Sequence, residues 1–292
     1  MFIDVESGKV VNVAVIGLGE MGGAVSSNLA AAGHAVAVFD LQQALVDEAV
    51  TDGSLAAASV SDAVRGAEMV HVVVFTDAQA RAVVLGHDSE PGALAVMEDG
   101  SALVIHSTVA PATCREMAEQ AAVHGIDVID AGMTGTGAAA RAGTITLLVG
   151  GADDVVARCR DELSCFAQVV MHVGPVGTGM VAKIVNNLSV LVNAEATRQL
   201  VQFGEATGLG EQALLEVLNA GTGRSWASEN WALIRPVVES PADGSPYPAM
   251  ARKDCDLALT VAAAAGTSAP IAEAIAERLA ELDRAGGIGS QP

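Results

Sequence analysis

A chain of 292 residues exceeds what one compact core normally organises, so two domains are expected. Hydrophobic residues make up 51%, mostly small Ala and Val with only 3% aromatics, which predicts closely packed elements with short side chains. The net charge of −20 argues against a nucleic-acid partner, which needs clustered Lys and Arg, and disfavours an anionic membrane surface.

The longest uncharged apolar run, Leu257 to Ala272, is broken by Gly, Thr, Ser and Pro and falls short of the roughly 20 residues that span a bilayer. The opening MFIDVESGKV is acidic and lacks the apolar core of a leader, so a cytoplasmic location is expected. Cys114, Cys159, Cys165 and Cys255 form no C-x-x-C pair and have no zinc-like histidine spacing, so they are read as reduced thiols with no metal. The six histidines show no triad spacing, and His106 and His172 are assigned to packing or solvent.

From Val11 the pattern is regular. VNVAVIG reads as a buried strand, EMGGAVSSNLAAAG as a helix ended by Gly33, and HAVAVFD as a second strand. MVHVVVF and ALVIHS are later strands with helical segments between. Short β-rich runs alternating with helices imply βαβ units on a parallel sheet.

The first strand runs into GLGEMGG, so that Gly17, Gly19 and Gly22 form G-x-G-x-x-G between a strand and a helix. That context makes the motif informative. Gly17 permits the tight turn, Gly19 admits a diphosphate and Gly22 allows close helix–strand packing. The helix start then offers free N–H groups to the anion. Asp40 closes the second strand, where a carboxylate accepts from an adenosine ribose and repels a 2′-phosphate. Leu41, Gln42 and Gln43 supply no arginine, so NAD is expected over NADP. An N-cap role for Asp40 on the next helix is the alternative.

Next comes IDVIDAGMTGTGAAARAGTITLLVG. Its loop of Gly135 and Gly137, flanked by Thr134 and Thr136, can turn several donors toward one anion, here a substrate carboxylate. An ordinary connection is the competing reading. Gly174, Pro175 and Gly177 mark a domain boundary, giving segments 1–174 and 175–292. A long helix is expected from about Gly179 to Thr207. The rest reads as helical: EQALLEVLNAG, a segment around Trp226–Trp231, YPAMARKDCDLALTVAAAAG and APIAEAIAERLAELDRAGG. The fold class is α/β: an N-terminal Rossmann-type doubly wound sheet followed by an all-helical C-terminal domain. A helical lobe so poor in aromatics is expected to share apolar faces in a homodimer or homotetramer.

Lys183 and Asn187 lie four apart on the long helix and so on one face. A lysine and two asparagines among Val, Ala, Ile and Leu leave two readings: either the helix turns these residues outward, or a ligand between the domains occupies the space in front of them.

Taken in order, these segments resemble the β-hydroxyacid dehydrogenase family over about residues 11–285. The family's G-L-G-x-M-G followed by N-L stands here as GLGEMG and Asn28-Leu29. Its D-A-P-V-S-G-G and following A-x-x-G run stand as DAGMTGTG and AARAGTITLLVGG. Its G-x-G-x-x-x-K-x-x-N-N runs from Gly177 to Asn187 without mismatch. The G-R-x-W and K-D-x-x-L-A segments stand at Gly223–Trp226 and Lys253–Ala258.

The resemblance implies an NAD-dependent dehydrogenase of a small 3-hydroxy acid, of the 3-hydroxyisobutyrate kind, and a list of site residues. Lys183 would be the general acid/base, with its pKa lowered toward neutrality, and Asn187 would hold the substrate. Thr134, Gly135, Thr136 and Trp226 would contact the substrate. Gly17, Leu18, Gly19, Glu20, Met21, Gly22, Asp40, Val74, Phe75, Gln79, Thr108 and Lys253 would contact the cofactor. The chain departs from the family at Gly132 (proline), Thr134 (serine) and Thr136 (glycine), where Thr136 is expected to disfavour a positive φ. Alternatives are a reductase of another semialdehyde or of an imine, or a dinucleotide-binding sensor without turnover.

Overall fold

The computed structural model describes residues 10–87, 90–239 and 247–286. The opening nine residues, read above as lacking a leader core, and the glycine after α13 lie outside the described residues.

Strands β1 (Asn12–Ile16), β2 (Ala35–Phe39), β3 (Leu55–Ala56) and β4 (Met69–Val72) alternate with helices α1 (Glu20–Ala31), α2 (Gln43–Thr51) and α3 (Val60–Val64). Helix α4 (Asp77–Leu85) leads into a two-stranded hairpin, β5 (Gly86–His87) and β6 (Glu90–Pro91). Then follow β7 (Ala102–Ile105), α5 (Pro111–Ala122), β8 (Asp127–Thr134), α6 (Gly137–Arg141), β9 (Ile145–Gly150), α7 (Asp153–Leu163) and β10 (Ala167–Gly174). The remainder is helical: α8 (Thr178–Ala206), α9 (Glu211–Ala220), α10 (Trp226–Glu229), α11 (Trp231–Glu239), α12 (Tyr247–Ala264) and α13 (Pro270–Gly286).

Eight strands form one sheet in the order β10-β9-β8-β7-β4-β1-β2-β3, parallel except where β8 pairs with β9. From β1 the chain steps outward to β2 and β3, then returns to β4 on the other side of β1. The switch point between β1 and β4 is where open α/β sheets bind ligands. Alternate β1 residues feed two cores: Val13 and Val15 enter one, Ala14 and Ile16 the other. Burial on both faces is why these strands read as continuous apolar runs.

Two histidines sit inside this sheet. His71 and His106 stack with centroids 5.1 Å apart and rings 4° from parallel, and Phe166 meets both edge-on. His106 Nδ1 lies 2.8 Å from the Ala131 carbonyl, which can only accept, so that nitrogen carries the proton. Burial pushes His106 down to about 4 and His71 well below its ordinary value. Neutral His106 therefore accepts at Nε2 from His71 Nδ1, 2.9 Å away.

Two compact units part at Lys183 and Ile184. The first turns of α8 go with the first unit because they pack on the β8 and β9 backbones. A Cβ on Gly179 would stand 2.5 Å from the Leu148 carbonyl and 2.6 Å from that of Asp130. In the second unit Ile184, Cys255, Ala258, Ala272 and Ile275 form one core, and Val201, Leu214 and Trp231 another. No helix among the described residues is long and apolar enough to cross a membrane.

Candidate active site

The turn after β1 has the shape that a diphosphate requires. Gly17 holds φ at +92°, and a side chain there would run into the Val73 carbonyl. A Cβ on Gly22 would strike the carbonyl of Gly17, so α1 can lie this close to the turn only with glycine. Gly19 is the opposite case: a Cβ there would meet nothing within 4 Å. It is also the N-cap of α1, and no side chain caps the helix. The first-turn N–H groups are thus presented across open space to an anion. These residues fit a dinucleotide.

Asp40 directly follows β2 and braces this turn. Its Oδ2 accepts from the Leu18 N–H at 2.7 Å and its Oδ1 from the Gln42 N–H at 2.8 Å. The N-cap of α2 is Gln42, so Asp40 does not fill the alternative capping role. Each carboxylate oxygen retains a second lone pair for a ribose hydroxyl.

The exits of β4 and β7 are tied together. Ser107 Oγ accepts from the Val74 N–H at 2.8 Å and donates to the Val72 carbonyl at 3.3 Å, one residue before Thr108. Ser107 is not among the residues expected from the sequence, although it directly precedes Thr108. Gln79 Oε1 accepts from the Phe75 and Thr76 N–H groups at 2.9 and 3.0 Å, completing a capping box with Thr76 on α4. Gln79 therefore shapes the loop that presents Phe75, which is exposed.

The second glycine loop leaves β8 at Thr134. Its positive-φ residue is Gly135, at +138°, where a Cβ would sit 2.9 Å from Ile145 Cγ2. Thr136 has φ −90° and caps α6, its Oγ1 accepting from the Ala139 N–H at 3.2 Å. The feared conflict at Thr136 does not arise, because the left-handed position is one residue earlier. A Cβ on Gly137 would collide with the Glu20 carboxylate, which also lies 3.5 Å from Arg141. The dinucleotide turn and this loop are in direct contact.

Lys183 stands six residues into α8, half-buried. A Cβ on Gly132 would be only 2.7 Å from Lys183 Cβ, so the lysine rides directly on the backbone of β8. Two residues earlier, Asp130 is fully buried and accepts from the Gly177 and Met180 N–H groups, both at 2.6 Å. Burial pushes its carboxyl up to about 6 against those two amides and the Arg115 guanidinium. The sequence analysis missed Asp130; an acid inside the apolar strand IDVIDAG was the available signal.

In the second unit, Asn187 Nδ2 donates to Asp254 Oδ2 at 2.6 Å, and Lys253 Nζ pairs with Asp254 Oδ1 at 3.1 Å. Lys253 is largely buried rather than a solvated helix lysine. Asp254 also went unassigned from sequence, although it follows Lys253 directly. Trp226 is 43% exposed, while Trp231 fills the core. Among the described residues no group of His, Cys, Asp or Glu could hold a metal ion.

Residues 12–174 match the NAD binding domain of 6-phosphogluconate dehydrogenase, and residues 177–291 match the NAD-binding segment of NADP-dependent 3-hydroxyisobutyrate dehydrogenase. The chain is 35% identical over 278 residues to a 3-hydroxyisobutyrate dehydrogenase of Pseudomonas aeruginosa, covering 93% of this chain and 91% of the relative. It is 33% identical over 264 residues to an NAD-dependent L-serine dehydrogenase of the same organism, covering 89% and 88%. Among solved structures, Mycobacterium tuberculosis 3-hydroxyisobutyrate dehydrogenase with L-serine superposes with a TM-score of 0.83 at 29% identity, covering 94% of each chain. With the glycine cradle, the Asp40 brace and the Lys183 seat all present, the chain belongs to the β-hydroxyacid dehydrogenase family and is an NAD-dependent hydroxyacid dehydrogenase.

Proposed function

We propose that this protein oxidises a small 3-hydroxy acid of the 3-hydroxyisobutyrate kind, with Lys183 accepting the hydroxyl proton. The observation that carries this reading is the seat of Lys183 on Gly132, on the same strand that leads into Thr134 and Gly135. One β-strand thus supplies both the platform for the amine and the entrance to the candidate carboxylate loop.

The division of labour follows from the chemistry. The Thr134–Thr136 segment holds the substrate carboxylate through hydroxyl and backbone donors. Lys183 takes the proton from the C3 hydroxyl, and Asn187, its amide oriented by Asp254, hydrogen-bonds the substrate beside it. NAD, when bound, supplies the hydride-accepting ring. The Gly17–Gly22 turn holds its diphosphate, Asp40 its ribose, and Val74, Phe75, Thr108 and Lys253 complete the cofactor contacts. Trp226 walls the substrate, and the dinucleotide-binding segment runs to Gly174, with the helical segment from Pro175.

The names of the relatives narrow the substrate class. L-Serine and 3-hydroxyisobutyrate share a carboxylate and a hydroxyl on C3, and differ in carrying an ammonium or a methyl group on C2. A panel varying only that C2 group, followed by absorbance of NADH, tests the reading. Turnover is expected for at least one 3-hydroxy acid. NAD binding without turnover of any of them would leave the dinucleotide sensor instead.

We also propose a homo-oligomer formed through the helical segment, where Leu200, Phe203, Val217, Leu233 and Tyr247 are exposed. Light scattering at micromolar concentration is expected to give a dimer or tetramer; a monomer overturns this.

A further inference from the structure

We propose that Asp130 is the positioning residue for Lys183: from β8 it caps the first turn of α8, and Gly132 on the same strand receives the lysine stem.

The hydrogen bonds are unusual in their origin. A helix whose N-cap is Ser or Thr and whose third residue is Glu satisfies two orphan amides by a reciprocal exchange of side chains. Here the corresponding positions are Gly177 and Met180, and neither has a side chain that can accept. The same two N–H groups are satisfied by one carboxylate, 47 and 50 residues earlier in the chain. The cap is therefore also a tertiary fastening. It fixes α8 to β8 in rotation and in depth, because two amides separated by one turn meet the two oxygens of a single rigid group.

The fastening has no slack. A Cβ on Gly150 would lie 2.5 Å from Asp130 Oδ1 and 2.8 Å from the Gly179 nitrogen. Gly179 approaches the Leu148 and Asp130 carbonyls just as closely. On the outer side, a Cβ on Gly177 would be 2.7 Å from an Arg115 nitrogen and 3.0 Å from the Pro111 carbonyl. Glycine at each of these positions lets the helix start settle onto the sheet. Lys183 lies one turn beyond Met180, so the capped turn and the Gly132 contact define where its stem leaves the helix. Asp130 sits at the base of this assembly, fully buried.

This role rests on the reading of Lys183 as the proton acceptor, and the test separates the two. The chain has three lysines, Lys9, Lys183 and Lys253, so reaction with an amine reagent followed by peptide mapping reports on Lys183 without turnover. In wild type, slow hydrogen exchange is expected at the Gly177 and Met180 amides; exchange at the rate of a frayed helix end overturns the proposal. Asp130→Asn keeps the shape but turns an amide N–H toward a backbone donor. With about unchanged NADH affinity and substrate KM, its kcat is expected to fall roughly tenfold or more, with altered labelling of Lys183. A kcat within about threefold of wild type and unaltered labelling overturn the proposal.

Should Asp130→Asn fail to fold, Gly132→Ala decides the matter together with the wild-type exchange. It retains the Asp130 carboxylate but forces the lysine stem off β8, and the same loss in kcat at unchanged NADH affinity is expected. If wild type turns over no hydroxy acid, the functional reading fails, while exchange and labelling still judge the fastening.

Discussion

Asn187 gives an amide hydrogen to Asp254 across 2.6 Å, and that single contact settles which way the asparagine faces. A carboxylate can only accept, so the nitrogen must point to it and the oxygen away. Lys253, on the other oxygen, holds the carboxylate in turn. Asp254→Ala is expected to lower kcat/KM about tenfold by releasing the amide. In an Asn187→Ala background the same Asp254 change should cost little more, since the amide that it orients is already gone. Fully additive losses in a double-mutant cycle count against this coupling.

Lys183→Ala removes the proposed proton acceptor without touching the dinucleotide turn. Turnover is expected to fall by about 10²–10⁴, the usual worth of a positioned acid or base, with NADH affinity by fluorescence about unchanged. Activity within about tenfold of wild type would remove Lys183 from that role.

Asp40 braces the turn through Leu18, and at the proposed ribose position its charge would repel a 2′-phosphate. Asp40→Ser combined with Leu41→Arg is expected to shift the NADP-to-NAD ratio of kcat/KM about tenfold or more toward NADP. NAD use falls as well, because the Leu18 amide loses its carboxylate. An unchanged ratio sinks the ribose assignment.

Stability has a pH dependence with a definite sign. His71 and His106 are both depressed by burial, so the unfolded chain takes up protons that the folded one refuses. Their contribution is present above the ordinary histidine value of about 6.5 and is lost as pH falls toward about 4, the folded value for His106. The slope is about 1.4 kcal/mol per pH unit for each histidine. Asp130 acts oppositely: raised to about 6, it relieves a penalty as pH falls through that value. Two histidines outweigh one carboxyl, and urea midpoints are expected to drop between about pH 7 and pH 5. Replacing both histidines by Leu should flatten that drop; an equally steep curve rules out the pair as its source.

The parts of the site legible in sequence are those whose partners are near in the chain. Gly17, Gly19 and Gly22 announce themselves by spacing, since strand, turn and helix are contiguous. Asp40 is readable because β2 follows α1 directly and lies beside β1. Lys183 and Asn187 show as polar residues in an apolar helix. Asp130 and Asp254 stayed hidden because each acts on a partner far along the chain, and no local pattern marks the pairing; Asn187 and Asp254 are 67 residues apart. The capping role of Thr136 is legible in the Gly137 and three alanines that follow it, and it is compatible with a loop that also presents donors to an anion.

The order of strands in the sheet has an evolutionary corollary. In the function proposed above, the dinucleotide grip hangs from the ends of β1, β2, β4 and β7, whereas the acid-recognising loop and the lysine platform hang from β8. Selection for a different hydroxy acid can therefore rewrite a few codons at one strand exit and inherit the rest of the machinery unedited. The departures at Gly132, Thr134 and Thr136 all fall within that one replaceable cassette.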